Sequence, residues 1–230
     1  MSFWGQLLLQ ESVSENAEYI SSFHDYSLAF ISMILFFVGG ATYLVISNSY
    51  ISGVSLSRMV EIIWILVPML IVVVLAVPSI NILYYLDEGW RSSLVTMKVT
   101  GHQWYWNYEW LGVGFDSYKR ERESSDDPYF RLLDVDHSVV LPVYSVIQAL
   151  VTADDVVHSW AVPALGIKAD GIPGRLNSLN FYFRHSCVLY GQCSEICGAN
   201  HSFMPICVEA SSMSRFSLWT NCMKLPIFLG

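Results

Sequence analysis

The stretch "GQCSEICGANHSFMP", residues 191–205, places Cys193, Cys197, His201 and Met204 within twelve positions. Three residues separate the cysteines, His201 follows Cys197 by four, and Met204 follows by three more. A turn this tight can direct all four side chains at one centre. Thiolates, imidazole and thioether together suit copper, whereas zinc takes four Cys/His ligands and has no use for a thioether. A mononuclear blue-copper site takes one cysteine, two histidines and a remote methionine. Here there is one thiolate too many for that, and two thiolates can instead bridge two copper ions, each closed by one histidine. The second imidazole must come from elsewhere, and His158 in "DDVVHSW", 35 residues before Cys193 and behind a β-like run, is the best candidate. A Cys193–Cys197 disulfide in an oxidising compartment and a structural zinc site are the competing readings. His24, His102, His137 and His185 stand in no comparable cluster and read as packed or surface histidines.

The run after residue 90 can hold such a loop rigid. Short β-like segments, "LVTMKVTGHQWYWNYEW", "YFRLLDVDHSVVLPVYSVIQALVTA", "HSWAVPALGIKAD" and "CVEASSM", are separated by Gly, Pro, Asp and Ser. That pattern predicts an antiparallel sandwich or small barrel. Before it, residues 26–57 and 62–86 carry no charged side chain, and each is long enough to cross a bilayer. Pro68 and Pro78 would break a soluble helix but are tolerated in a membrane span. The expected organisation is an N-terminal segment and helical hairpin over 1–90, with spans at about 26–47 and 60–86, then a β domain over 91–230. Trp64, Tyr84, Tyr85 and Trp90 fall near span ends, where an interfacial aromatic belt belongs.

Composition agrees with a membrane protein: 53% of residues are hydrophobic and 14% charged, against roughly 25% charged in soluble domains. A net charge of -8 without a Lys/Arg cluster argues against nucleic acid and for a basic partner. The N-terminus has no basic n-region, carries Glu11, Glu15 and Glu18, and reads as neither signal nor transit peptide. The linker between the spans carries only Arg58, so the positive-inside rule weakly favours both termini outside. The five cysteines are an odd number; Cys187, Cys207 and Cys222 have no assigned role and read as packed thiols.

"GHQWYWNYEW", "DDVVHSWAVPALGIKADGIPGRLN" and "YGQCSEICGANHSFMP" together resemble subunit II of the haem-copper cytochrome c oxidases in its mitochondrially encoded form. The likeness extends through "FHDYSL", "EIIWILVP" and "VPSINILYYLDE" to nearly the whole chain. It implies a cupredoxin-like Greek-key domain holding the dinuclear copper centre CuA, with His158, Cys193, Cys197, His201, Met204 and the Glu195 carbonyl as copper ligands. It further implies that the Glu195 carboxylate binds a magnesium ion shared with subunit I. Electrons would come from cytochrome c and go to haem a in subunit I, where oxygen is reduced to water with proton pumping.

The run Trp104, Tyr105, Trp106, Tyr108, Trp110 alternates with period two, putting the tryptophans on one strand face, ordinarily a core or belt feature. The resemblance makes Trp104 the electron entry point and places Glu61, at the start of the second span, at the entrance of a proton channel. Acids matching family docking positions are Glu109, Asp116, Asp136 and Asp155. Between Glu109 and Asp116 many relatives carry a longer acidic loop; this chain has only "WLGVG", which would weaken docking or shift it to Asp126 and Asp127. The implied location is the mitochondrial inner membrane, with the β domain and both termini in the intermembrane space, or alternatively a bacterial cytoplasmic membrane. The rival function is a membrane-anchored copper-binding or copper-delivery protein, which would need neither Trp104 beside the site nor Glu195 reaching a partner.

Overall fold

The computed structural model describes residues 6–50, 57–87, 92–121 and 130–224. Trp90, Asp126, Asp127 and the expected boundary at 90/91 fall outside them. Two long helices come first, α1 (Glu15–Ser47) and α2 (Arg58–Asp87), each long and apolar enough to cross a membrane. Pro68 and Pro78 sit inside α2, at the cost of one backbone hydrogen bond each. The two helices lie side by side as a hairpin, with the ring of Tyr19 edge-on to that of Tyr85 at 4.6 Å.

Helix α1 begins well before the uncharged run, because Ser14 caps it: its hydroxyl accepts the Ala17 N–H at 3.1 Å. The same hydroxyl donates to the Leu165 carbonyl at 2.7 Å, and Val13 N–H donates to Ala164 O at 3.0 Å. Arg184 pairs with both Glu15 and Glu18. The described residues up to Glu18 therefore group with the β domain, and the other compact unit starts at Tyr19, later than the expected hairpin segment. Polar residues of the first turn have partners on the β domain that lipid could not supply.

The β domain contains β1 (Val95–His102), β2 (Tyr105–Trp110), β3 (Val113–Ser117), β4 (Val139–Pro142), β5 (Ile147–Ala153), β6 (His158–Val162), β7 (Ile167–Gly171), β8 (Asn177–Phe181), β9 (Cys187–Gln192) and β10 (Pro205–Ser211). They form a five-stranded sheet in the order β3-β2-β1-β5-β8, a three-stranded sheet β4-β10-β9, and the pair β6-β7. The sheets are mixed: β1 pairs parallel with β5, and β4 parallel with β10. The antiparallel expectation misses this because local alternation reports which face is buried, not which distant strand lies alongside. Strands β3, β8 and β9 were not foreseen; β8 carries Asn177, Ser178 and Asn180, a composition poor in strand formers.

Alternation is clearest in β5, where every second residue from Ile147 to Ala153 is buried. Met97, Val99, Trp106, Tyr108 and Val151 from the larger sheet join Leu141, Leu189, Ile206 and Val208 from the smaller, and Trp160 from β6, in one core. A helix outside the all-β expectation, α3 (Met213–Met223), follows β10. Ser212 caps it and Phe216 is buried, while Trp219 stacks on Trp110 at 4.8 Å.

Strands β6 and β9 come so close at Gly191 that an added Cβ would collide with the Ala161 carbonyl oxygen. Gly191→Ala is expected to destabilise the β domain by about 1–3 kcal/mol, read as a lower thermal midpoint; an unchanged midpoint would show that β6 and β9 separate freely.

Candidate metal centre

The loop between β9 and β10 brings the expected donors together. Cys193 Sγ and Cys197 Sγ lie 4.0 Å apart. His158 Nδ1 is 3.9 Å from Cys193 Sγ, and His201 Nδ1 is 3.5 Å from Cys197 Sγ. Met204 Sδ is 3.5 Å from Cys197 Sγ, and the Glu195 carbonyl oxygen is 3.3 Å from Cys193 Sγ. One donor atom each from His158, Cys193 and Cys197 falls within a 4.8 Å span. Both cysteines are free thiols, and they are buried together with His158 and Met204. A cluster of two thiols, two imidazoles, a thioether and a carbonyl fits soft metal ions, copper above all.

His158 opens β6 in a slot made for its ring. A Cβ on Gly101 would lie 2.8 Å from the imidazole, so glycine there gives the ring room. Trp106 closes another side, edge to ring at 5.9 Å between centroids. Asp155 Oδ1 takes the His158 Nε2–H at 2.8 Å, which fixes the tautomer and leaves the Nδ1 lone pair for a metal. The Asp155 carboxylate also accepts the N–H of Val156 and of Gln103, each at 2.6 Å. Gln103 in turn donates its side-chain amide to the Cys197 carbonyl at 2.7 Å. A bracket thus runs from the β1–β2 turn through Asp155 to one donor and through Gln103 to another.

Burial alone would raise both thiols. At Cys193 the hydrogen bond with His158 and neighbouring backbone groups outweigh burial and lower the thiol to about 7. At Cys197 burial and the adjacent Cys193 thiolate act together and push the thiol up to about 12. Burial favours neutral His158, but its bonds to Cys193 and Asp155 raise its pKa overall. Asp155, somewhat raised by burial, is held below the ordinary range by His158 and the two backbone donors. Without a cation the site accommodates one thiolate, and a second needs positive charge between the sulfurs.

Trp104, in the β1–β2 turn, packs over the loop: a Cβ on Gly198 would sit 3.3 Å from its Cζ2. Gly198 has φ +127°, a conformation that favours glycine. Trp106, Tyr108 and Trp110 point into the core as the alternation predicted, while Tyr105 points outward, stacked between His102 and Tyr118. The Glu195 carboxylate is half-buried and has no partner among the described residues. Glu61 lies in the first turn of α2.

The expected docking acids are engaged to different degrees. Glu109 pairs with Lys98 at 3.4 Å, Asp116 accepts from Asn107 at 2.8 Å, and Asp136 accepts the Tyr118 N–H at 2.8 Å. Asp155 has a second occupation, holding His158, that sequence reasoning missed; its spacing of three before the histidine was the available signal. Gln103 was missed too, and nothing in a lone glutamine announces it. Cys207 is buried, Cys187 half-buried and Cys222 exposed.

Fold and site define a class: a membrane-anchored β-sandwich whose strand-connecting loop gathers a paired-cysteine metal site. Residues 95–211 match the family described as cytochrome c oxidase subunit II, periplasmic domain, and residues 2–82 match its transmembrane domain. Cytochrome c oxidase subunit 2 of Drosophila lowei is 48% identical over 225 residues, covering 96% of this chain and 98% of that one. The Drosophila ambigua protein is 47% identical over the same length. The crystal structure of the periplasmic domain of subunit II from Bradyrhizobium japonicum is 41% identical with a TM-score of 0.54, covering 58% of this chain and 95% of that one. The chain belongs to the cytochrome c oxidase subunit II family. Its function is that of the copper-carrying, electron-transferring subunit of a haem-copper oxidase, with a cupredoxin-like domain anchored in the membrane beside the other subunits.

The protons on Cys193, Cys197 and His158 must leave before these atoms can bind a metal. Copper affinity is therefore expected to rise with pH between 5 and 8, by about tenfold per unit for each proton displaced. Competition with a chelator across that range measures it, and a flat profile would mean that these groups are not the ligands.

Proposed function

We propose that cytochrome c delivers electrons at Trp104, and that they pass through a dinuclear copper centre held by His158, Cys193, Cys197, His201, Met204 and the Glu195 carbonyl to haem a in subunit I. The observation that carries the reading is the convergence of the other four donors on a pair of buried thiols 4.0 Å apart. These residues would hold a pair of copper ions, which would supply one-electron chemistry at the site.

This chain's residues do the rest. Core packing around Cys193, Cys197 and Met204 excludes water, which lowers the reorganisation accompanying each charge change. Asp155 locks the His158 ring, and Gln103 locks the backbone at Cys197. Gly198 lets the Trp104 indole rest on backbone one residue from a sulfur donor, so the electron crosses one short gap between entry point and site. Glu109, Asp116 and Asp136 give the domain an acidic character that steers a basic donor in a salt-dependent way.

The half-buried Glu195 carboxylate, on the residue whose carbonyl faces Cys193, is the oxygen ligand for a magnesium ion shared with subunit I. Glu61 admits protons to a channel leading into subunit I; an ionisable group at a membrane boundary is often functional. The close match to insect relatives over nearly the full length supports the mitochondrial inner membrane, with the β domain and both termini in the intermembrane space.

Trp104→Phe should slow reduction by cytochrome c by about tenfold or more while the copper paramagnetic resonance spectrum stays unchanged; an unaltered rate removes Trp104 from the route. Reduction of the unsubstituted oxidase should slow as ionic strength rises, and a flat dependence rules out electrostatic docking. Glu61→Gln should lower turnover and proton uptake together without changing copper content; full activity would end its channel role.

A further inference from the structure

We infer that Trp106 is a positioning residue for the metal centre, fixing the distance of the Met204 thioether from the copper and so setting the site's reduction potential. The inference rests on the ligand set proposed above. Trp106 lies on β2 and is fully buried. Its indole N–H donates to the Met204 carbonyl at 3.3 Å, and its ring meets the His158 imidazole at an interplanar angle of 64°. One side chain thus touches a donor residue brought in by β6 and another at the start of β10.

Met204 is where such a grip has leverage. A thioether is a weak ligand whose distance from the metal is set by the protein rather than by its own bond. The Met204 side chain is buried, with Sδ against Cys197 Sγ. Its backbone is restrained from one side by Pro205, which narrows the conformations open to the preceding residue. The other restraint is the Trp106 N–H on its carbonyl. Removing that N–H frees the peptide to rotate and the thioether to withdraw. A donor to copper stabilises the more positive, oxidised state, so slackening it raises the potential.

A tryptophan that only filled the core would behave differently, because exchanging N–H for an isosteric group leaves packing intact. Two replacements separate the cases in the assembled oxidase: Trp106→Phe, and substitution of Trp106 by its benzothiophene analogue, in which sulfur replaces the indole N–H at nearly constant shape. The midpoint potential is read from a redox titration of the copper paramagnetic signal, and copper content is measured alongside. Copper content and the two-nucleus hyperfine pattern should match the unsubstituted oxidase, with the ratio of reduced to oxidised site at fixed solution potential raised about fivefold, the worth of one neutral hydrogen bond. In a Met204→Leu background the same replacements should cause no further shift. An unchanged potential with the analogue overturns the inference, as does an equal shift in the Met204→Leu background. A paramagnetic signal from one copper nucleus rather than two in the unsubstituted oxidase would instead overturn the ligand assignment.

Discussion

Two buried sulfur atoms 4.0 Å apart are the constraint around which the β domain is built. Left alone, the pair cannot both be charged, and the opposite displacements of Cys193 and Cys197 express that conflict. A fold that stores such a pair must hold each sulfur independently, so that neither collapses onto the other nor turns to solvent. The loop has almost no regular structure with which to do this. Its stiffness is borrowed: from β9 and β10 at its ends, from β6 through His158, and from the β1–β2 turn through Gln103 and Trp104.

That borrowing explains what could be read from the sequence. Cys193, Cys197, His201 and Met204 were legible because their spacing is local, and His158 because a metal site with two thiolates lacked an imidazole. The helices were legible because bilayer thickness imposes a minimum apolar length. Gln103 and Trp106 were not assigned their positions around the site, since both reach it through hydrogen bonds made across the fold, and Asp155, although only three residues before His158, was read as a surface acid. The parallel pairings and β8 escaped for a similar reason, being decided by which distant strand offers a free edge. Helix α3 carried a signal, a serine cap followed by Phe216, Trp219 and Thr220 at helical spacing, that the preceding strand-like run masked.

Asp155 illustrates how one residue can answer to two demands. Counted by charge, it belongs to an acidic surface; counted by geometry, its oxygens hold His158 and the two neighbouring backbone N–H groups. The surface that would meet an electron donor and the scaffold that orients a metal ligand share this carboxylate, and Gln103 and Trp104 stand in consecutive positions beside it. Docking and ligand geometry are therefore not separable here into an outer and an inner layer.

The fastening of the N-terminal segment bears on how the protein is made. Ser14 hydrogen-bonds to a carbonyl 151 residues further along, and Val13 to the carbonyl just before it. Val13 and Ser14 are thus made long before their partners, with both long helices and six strands lying between them in the chain. This contact closes a loop that contains both helices, and it can form only once most of the β domain exists.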